Sequence, residues 1–166
     1  LAHVEAGLRS YDRTMPEEIN RIVTDRLANL LLTPSRDASE TLRQEGEPDE
    51  EIEFVGNVMI DSLLNALPAA RASGFRQQIG ADGDTIVVTL HRPSNVDDPA
   101  RLKAVVEALR QLAEAHTVVF PAHPRTRERL VRLGIETAPV RVIEPVSYIA
   151  MLDLVQGAHA VVTDSG

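Results

Sequence analysis

Short apolar runs alternate with amphipathic stretches along most of the chain. Leu1–Val4, Leu30–Thr33, Ile52–Val55, Thr85–Leu90, Thr117–Phe120, Val140–Ile143 and Ala158–Thr163 read as strands. The central ones are apolar throughout rather than alternating, the pattern of strands covered on both faces of a parallel sheet. Helices fall between them. Pro16 suits a first helical position, and Ile19, Ile22, Val23, Leu27 and Leu30 follow at helical spacing. Ser35 is placed to cap a helix to about Glu45, with Gly46 ending it. Gly56-Asn57 opens a helix over Val58–Leu67. Asp98-Pro99 opens another to about His116, with Leu102, Val105, Val106, Leu109 and Leu112 on one face. Two more cover Pro124–Leu133 and Ser147–Gln156. Glu47–Glu51 is an acidic, solvated loop, and residues 68–84 lack periodicity and mark a domain boundary. Strand–helix alternation of this kind predicts an α/β fold built from βαβ units.

Composition narrows the function classes. The chain has 166 residues and a net charge of -8, which excludes a general nucleic-acid binder but not a local cationic pocket. Only 3% of residues are aromatic, so the core must be aliphatic. Lys103 is the single lysine; arginine bias suits phosphate contacts, but genome composition explains it more simply. There is no cysteine, hence no disulfide or thiolate metal site. With no visible signal peptide, a cytoplasmic location is expected. No apolar run is long enough to span a bilayer, so no membrane partner is expected. The chain opens and stops in mid-pattern, as a piece of a larger protein would.

The strands also predict where chemistry gathers. In a parallel sheet all strand C-termini share one edge, the usual ligand side of such folds. Glu5, His91, His123, Glu144-Pro145 and Asp164-Ser165-Gly166 each follow a strand. His91-Arg92 suits a phosphate, or is simply a surface loop before Pro93. His123 lies between Ala122 and Pro124, where loop structure explains it equally well. His116 falls at a helix C-terminus, a place for a dipole-stabilising histidine, and His159 has no assigned role. Ser165-Gly166 offers a hydroxyl and backbone N–H groups to an anion. Glu5 and Glu17 are the acid–base candidates. Glu17 and Arg21, four apart, equally make an ordinary surface pair at a helix start. No grouping has metal-ligand spacing, and no glycine-rich nucleotide motif or nucleophile elbow is present.

Seven segments in order resemble the non-hydrolysing bacterial UDP-N-acetylglucosamine 2-epimerases. They are His3-Val-Glu-Ala-Gly-Leu-Arg9, Pro16-Glu-Glu-x-Asn-Arg21, Gly56-Asn57-x-x-Ile60-Asp61, Thr89-Leu-His-Arg92, Pro121-x-His123-Pro124, Glu144-Pro145-x-x-Tyr148 and Thr163-Asp-Ser-Gly166. The first two are the specific ones. The resemblance implies a GT-B-like pair of Rossmann-like domains, both incomplete here, around a nucleotide-sugar cleft. Residues 1–67 would belong to the N-terminal domain, 68–83 to a linker, and 84–166 to the UDP-binding C-terminal domain.

The implied reaction interconverts UDP-GlcNAc and UDP-ManNAc through a glycal and UDP, for cell-envelope polysaccharide, with no metal or cofactor and in a homodimer. By motif, Glu5, Glu17 and His91 match the catalytic set, His91 through contact with UDP. Arg21 matches a substrate contact, Ser165 and Gly166 the phosphate loop, and Glu144, Pro145 and Tyr148 the region near uracil. Ser94 stands before Asn95 where the family often has Glu. A further catalytic aspartate and a phosphate-binding arginine region would lie outside these 166 residues, so the chain alone is expected to be inactive. The alternatives are a hydrolysing epimerase releasing ManNAc, a GT-B glycosyltransferase, and a non-catalytic nucleotide-sugar sensor.

Overall fold

Leucine- and valine-rich runs become strands here because a parallel sheet, covered by helices, buries them on two faces. A computed structural model describes residues 1–165, in two units, Leu1–Asn65 and Ala66–Gly166.

In the first unit, β1 (Ala2–Val4), β2 (Leu30–Thr33) and β3 (Ile52–Phe54) form a parallel sheet in that order. His3 lies opposite Leu31, and Leu32 opposite Glu53. Helix α1 (Pro16–Leu27) starts at Pro16, where the missing N–H costs nothing. Helix α2 (Arg36–Gln44) is capped by Ser35, whose hydroxyl accepts from the Ala38 N–H. Ala6, Ala28, Leu31 and Leu42 make the small core. Asp49–Glu51, expected as a plain loop, forms one 3-10 turn.

Helix α1 departs from its apolar pattern. Ile19, Val23 and Leu27 are exposed, whereas Glu18 and Asp25 are each 1% exposed. Seven residues apart, these two carboxylates share a helix face. That face turns inward because unpaired backbone donors of the preceding loop need acceptors there.

Helix α3 (Val58–Ser73) runs past its expected end at Leu67. Pro68 removes one N–H from the helix interior, but Ala69, Ala70, Arg71 and Ala72 are strong helix formers, and Ala70 is fully buried. Gly74, left-handed at φ 59°, then ends it. The stretch expected as a linker is therefore largely helical, with α4 (Phe75–Gln78) completing it.

The second unit contains β4 (Thr85–Thr89), α5 (Pro93–Val96), α6 (Pro99–Leu112), β5 (Thr117–Pro121), α7 (Pro124–Arg132), β6 (Arg141–Ile143), α8 (Tyr148–Gln156) and β7 (Ala160–Thr163). Its sheet is parallel, in the order β6-β5-β4-β7. Side chains alternate between its faces. Ile86, Val88, Val118 and Phe120 pack with Leu109 of α6, while Val87 and Val119 pack with Leu154 of α8. Leu102, Val106 and Leu130 join α6 to α7. Helix α6 stops at Leu112, so His116 is not at a helix terminus as expected. Its Nδ1 lies 2.6 Å from Asp84, and its ring stacks on His159 at 5.7 Å. Among the described residues no helix is long and apolar enough to cross a membrane.

Candidate functional site

The loop after β1 carries Glu5 in a left-handed conformation, φ 66°, which a non-glycine residue rarely adopts. Anchors on both sides hold it. The Ala6 N–H donates to Leu32 O at 3.1 Å, and the Gly7 N–H to Asp25 Oδ2 at 3.3 Å. Asp25 also meets His3 Nδ1 at 2.5 Å and Arg9 at 2.7 Å. Arg9 grips Glu45 by two further bonds, at 2.9 and 2.7 Å. The Glu45 hydrogen bond, with Asp25 beside it, holds the Arg9 guanidinium protonated far above the titration range of other side chains, against the cost of burial.

Adjacent carboxylates on α1 divide in role. Glu18 accepts from the backbone N–H and hydroxyl of Ser10, at 2.8 and 3.0 Å, and from the Tyr11 N–H at 3.0 Å. These bonds, the Ser10 N–H foremost, hold its carboxyl below the usual carboxylate range. Arg21 sits 3.6 Å from Glu18, so the surface partner expected for it, Glu17, is replaced by the residue beside it. Glu17 and Glu5 are exposed, and neither side chain has a hydrogen-bond or ion-pair partner among the described residues.

In the second unit the chemistry collects at the C-terminal edge of β4, β5 and β7. Asp164, unassigned from the sequence, organises it. Its carboxylate accepts from the backbone N–H groups of His91 (3.1 Å) and Arg92 (3.0 Å) and from Asn95 Nδ2 (3.1 Å), and meets His91 Nδ1 at 3.2 Å. Burial pushes Asp164 up, but the Asn95, Arg92 and His91 bonds outweigh it and leave the carboxyl below its ordinary value. The signal for it was an acid directly after an apolar strand sequence, at the edge that also carries His91. Thr89 and Thr163 hydroxyls join at 2.9 Å, and Thr163 meets the Ser165 hydroxyl at 2.8 Å. Gly166 lies outside the described residues.

His91 and His123 line one 250 Å³ cavity with Arg125, so these two strand-end histidines do gather. Glu144 pairs instead with Arg127 beside a larger cavity of 550 Å³, walled by Leu130, Val131, Ile135 and Val142. Pro145 and Tyr148 are exposed and line neither cavity. No cluster of three or more His, Cys, Asp or Glu able to hold a metal occurs among the described residues.

The first unit thus carries a positive-φ acid after a strand, and the second a histidine held by an acid at a parallel-sheet edge. Residues 1–166 match the family model described as UDP-N-acetylglucosamine 2-epimerase. The chain belongs to that family.

It is 46% identical to a Pseudomonas aeruginosa UDP-2,3-diacetamido-2,3-dideoxy-D-glucuronate 2-epimerase, over all of this chain and 47% of that protein. Identity to the UDP-N-acetylglucosamine 2-epimerase of Methanocaldococcus jannaschii is 39%, over all of this chain and 48% of that one. A crystal structure of the latter enzyme in complex with UDP-GlcNAc and UDP superimposes with a TM-score of 0.78 at 38% identity, covering 99% of this chain and 48% of that one. The chain thus spans about half the length of the curated relatives it matches. Its parallel α/β units correspond to the Rossmann-like halves of GT-B-type epimerases.

Depressed carboxyls such as Glu18 and Asp164 make acid stability predictable. A carboxyl whose value is lower in the folded than in the unfolded state contributes stability that is fully present above its unfolded value. That contribution is lost as pH falls through the folded value. Unfolding midpoints should therefore hold steady from pH 7 to about pH 5 and drop below roughly pH 4. Asp164→Asn should flatten part of that acid limb, which urea titrations across the pH range would measure.

Proposed function

We propose that the full-length gene product carrying this chain reversibly inverts C2 of UDP-GlcNAc to give UDP-ManNAc. One observation carries the reading. Among the described residues, the Glu5 and Glu17 carboxyl groups have no partner, whereas Asp25 and Glu18 each accept several hydrogen bonds. One carboxylate takes the C2 proton; the C–H electron pair becomes the C1–C2 double bond, and UDP leaves C1 with its bonding pair. A carboxylic acid then protonates C2 from the opposite face as a UDP phosphate oxygen re-forms the bond to C1. Positive charge and N–H donors stabilise the departing diphosphate. His91, held by Asp164, serves there with Arg21, Ser165 and Gly166. Glu144, Pro145 and Tyr148 take the uracil side. The same reading assigns residues 1–67 and 84–166 to the N- and C-terminal domains on either side of 68–83, and it includes a cytoplasmic homodimer supplying envelope polysaccharide.

The higher identity to the Pseudomonas enzyme favours a second substrate, the 2,3-diacetamido glucuronate sugar nucleotide, through the same C2 chemistry. Incubating the full-length gene product with each sugar nucleotide in D₂O, with NMR of the C2 proton, tests both. Loss of that signal from UDP-GlcNAc with growth of UDP-ManNAc is the expected result. Exchange with the glucuronate sugar alone reassigns the substrate, and free ManNAc indicates hydrolysis. An intact C2 proton on both, with UDP bound, overturns epimerisation in favour of a transferase or sensor.

A further inference from the structure

Asp25 is an expensive residue to keep. It is buried, and it lies in the last turn of α1, where the helix dipole disfavours negative charge. Packing does not need a carboxylate there, since an apolar side chain would fill the same space. What the carboxylate does is collect three donors from one short segment: His3, the Gly7 N–H and Arg9. That segment contains Glu5. The 2.5 Å contact with His3 requires a proton on Nδ1, so the imidazole is held in one orientation at the end of β1. Gly7, the second residue after Glu5, is pinned by its N–H. Arg9 closes the segment, and its own second partner, Glu45, fixes it to the end of α2. The left-handed backbone of Glu5 persists because its surroundings over-determine it.

We propose that Asp25, with His3 and Arg9, is a positioning device that aims the Glu5 carboxylate for proton transfer at C2. This rests on the functional reading above and extends it to residues with no catalytic contact of their own. Releasing the Gly7 N–H and the His3 ring lets Glu5 relax toward ordinary β backbone and swing away from the reacting carbon. Misplacement by about 1 Å is enough to lose roughly a hundredfold in rate. Asp25→Asn preserves shape but cannot accept from all three donors as a charged acceptor does.

The test uses the full-length gene product and follows C2 exchange in D₂O. The parent, Asp25→Asn, Glu5→Gln and the double variant are compared, with circular dichroism to count folded protein. Asp25→Asn is expected to lower kcat about tenfold to a hundredfold, with KM changed less than about twofold. In the Glu5→Gln background the same change should cost nothing further, because the device acts through Glu5. A merely structural residue would lower the rate by the same factor in both backgrounds, which would overturn the proposal. So would an unchanged kcat in folded Asp25→Asn. If Asp25→Asn does not fold, His3→Gln is read by the same criteria. Absence of exchange in the parent overturns the functional reading and this proposal together; exchange in the parent with an indifferent Asp25 overturns this proposal alone.

Discussion

In the full-length gene product, and on the function proposed above, Glu17→Gln is expected to abolish most of the C2 exchange, by about 10²–10⁴ in kcat, while changing the unfolding temperature little. The neighbouring Glu18→Gln should do the reverse, lowering the unfolding temperature in a protein that still turns over when folded. The contrast follows from the partners. Glu17 stands exposed in the first turn of α1, where losing its charge costs only the modest helix-dipole contribution of a surface acid. Glu18 holds Ser10 and Tyr11 through three bonds. A glutamine keeps one acceptor oxygen and turns an amide donor toward N–H groups that need acceptors, so buried donors go unsatisfied. Kinetics and thermal unfolding on both variants would separate the roles. Loss of turnover in folded Glu18→Gln, with Glu17→Gln active, would transfer the acid–base assignment to Glu18.

Gly7→Ala should be among the most damaging single changes in the first unit. Gly7 has φ 79°, and a Cβ there would sit 2.3 Å from the Ala38 carbonyl oxygen and 3.0 Å from the Leu42 side chain. Left-handed strain alone costs about 1–3 kcal/mol. The clash adds to it, because the nearest atom is backbone of α2 and cannot rotate away. A total of about 3 kcal/mol or more is expected from urea unfolding, with exchange activity falling in parallel as the loop carrying Glu5 is displaced. Gly56, also at positive φ, has nothing within 4 Å of its hypothetical Cβ. Gly56→Ala should therefore cost only the backbone strain, which makes it a control for the clash.

How much of this was legible in the sequence depends on the range of the interaction. Strands β4 and β5 were readable because burial on both faces leaves a continuous apolar run. The α2 cap was readable because Ser35 bonds an N–H three residues away. Helix α1 was readable as a helix but not as to its face. Ile19, Val23 and Leu27 carry the apolar spacing, yet the inward side belongs to Glu18 and Asp25, whose partners lie on the preceding loop and strand. No local pattern encodes that choice. Helix α3 was cut short because Pro68 is a strong local stop, overridden by the alanines after it and by burial of Ala70. Glu5 and His91 were picked out by their place after strands. Asp164 was placed at the same edge but given no role of its own, because it accepts from N–H groups 69 to 73 residues earlier in the chain.

The parallel sheet of the second unit also separates two layers of polar side chains. His91, His123 and Asp164 occupy the edge where β4, β5 and β7 end, while Asp84, His116 and His159 occupy the edge where they begin. The length of each strand holds those two layers apart, and β4 and β5 are buried along most of theirs. Changes in charge or turn length at the opening edge therefore leave the groups at the far edge in place, and the Asp84–His116–His159 cluster can be altered independently of His91, His123 and Asp164.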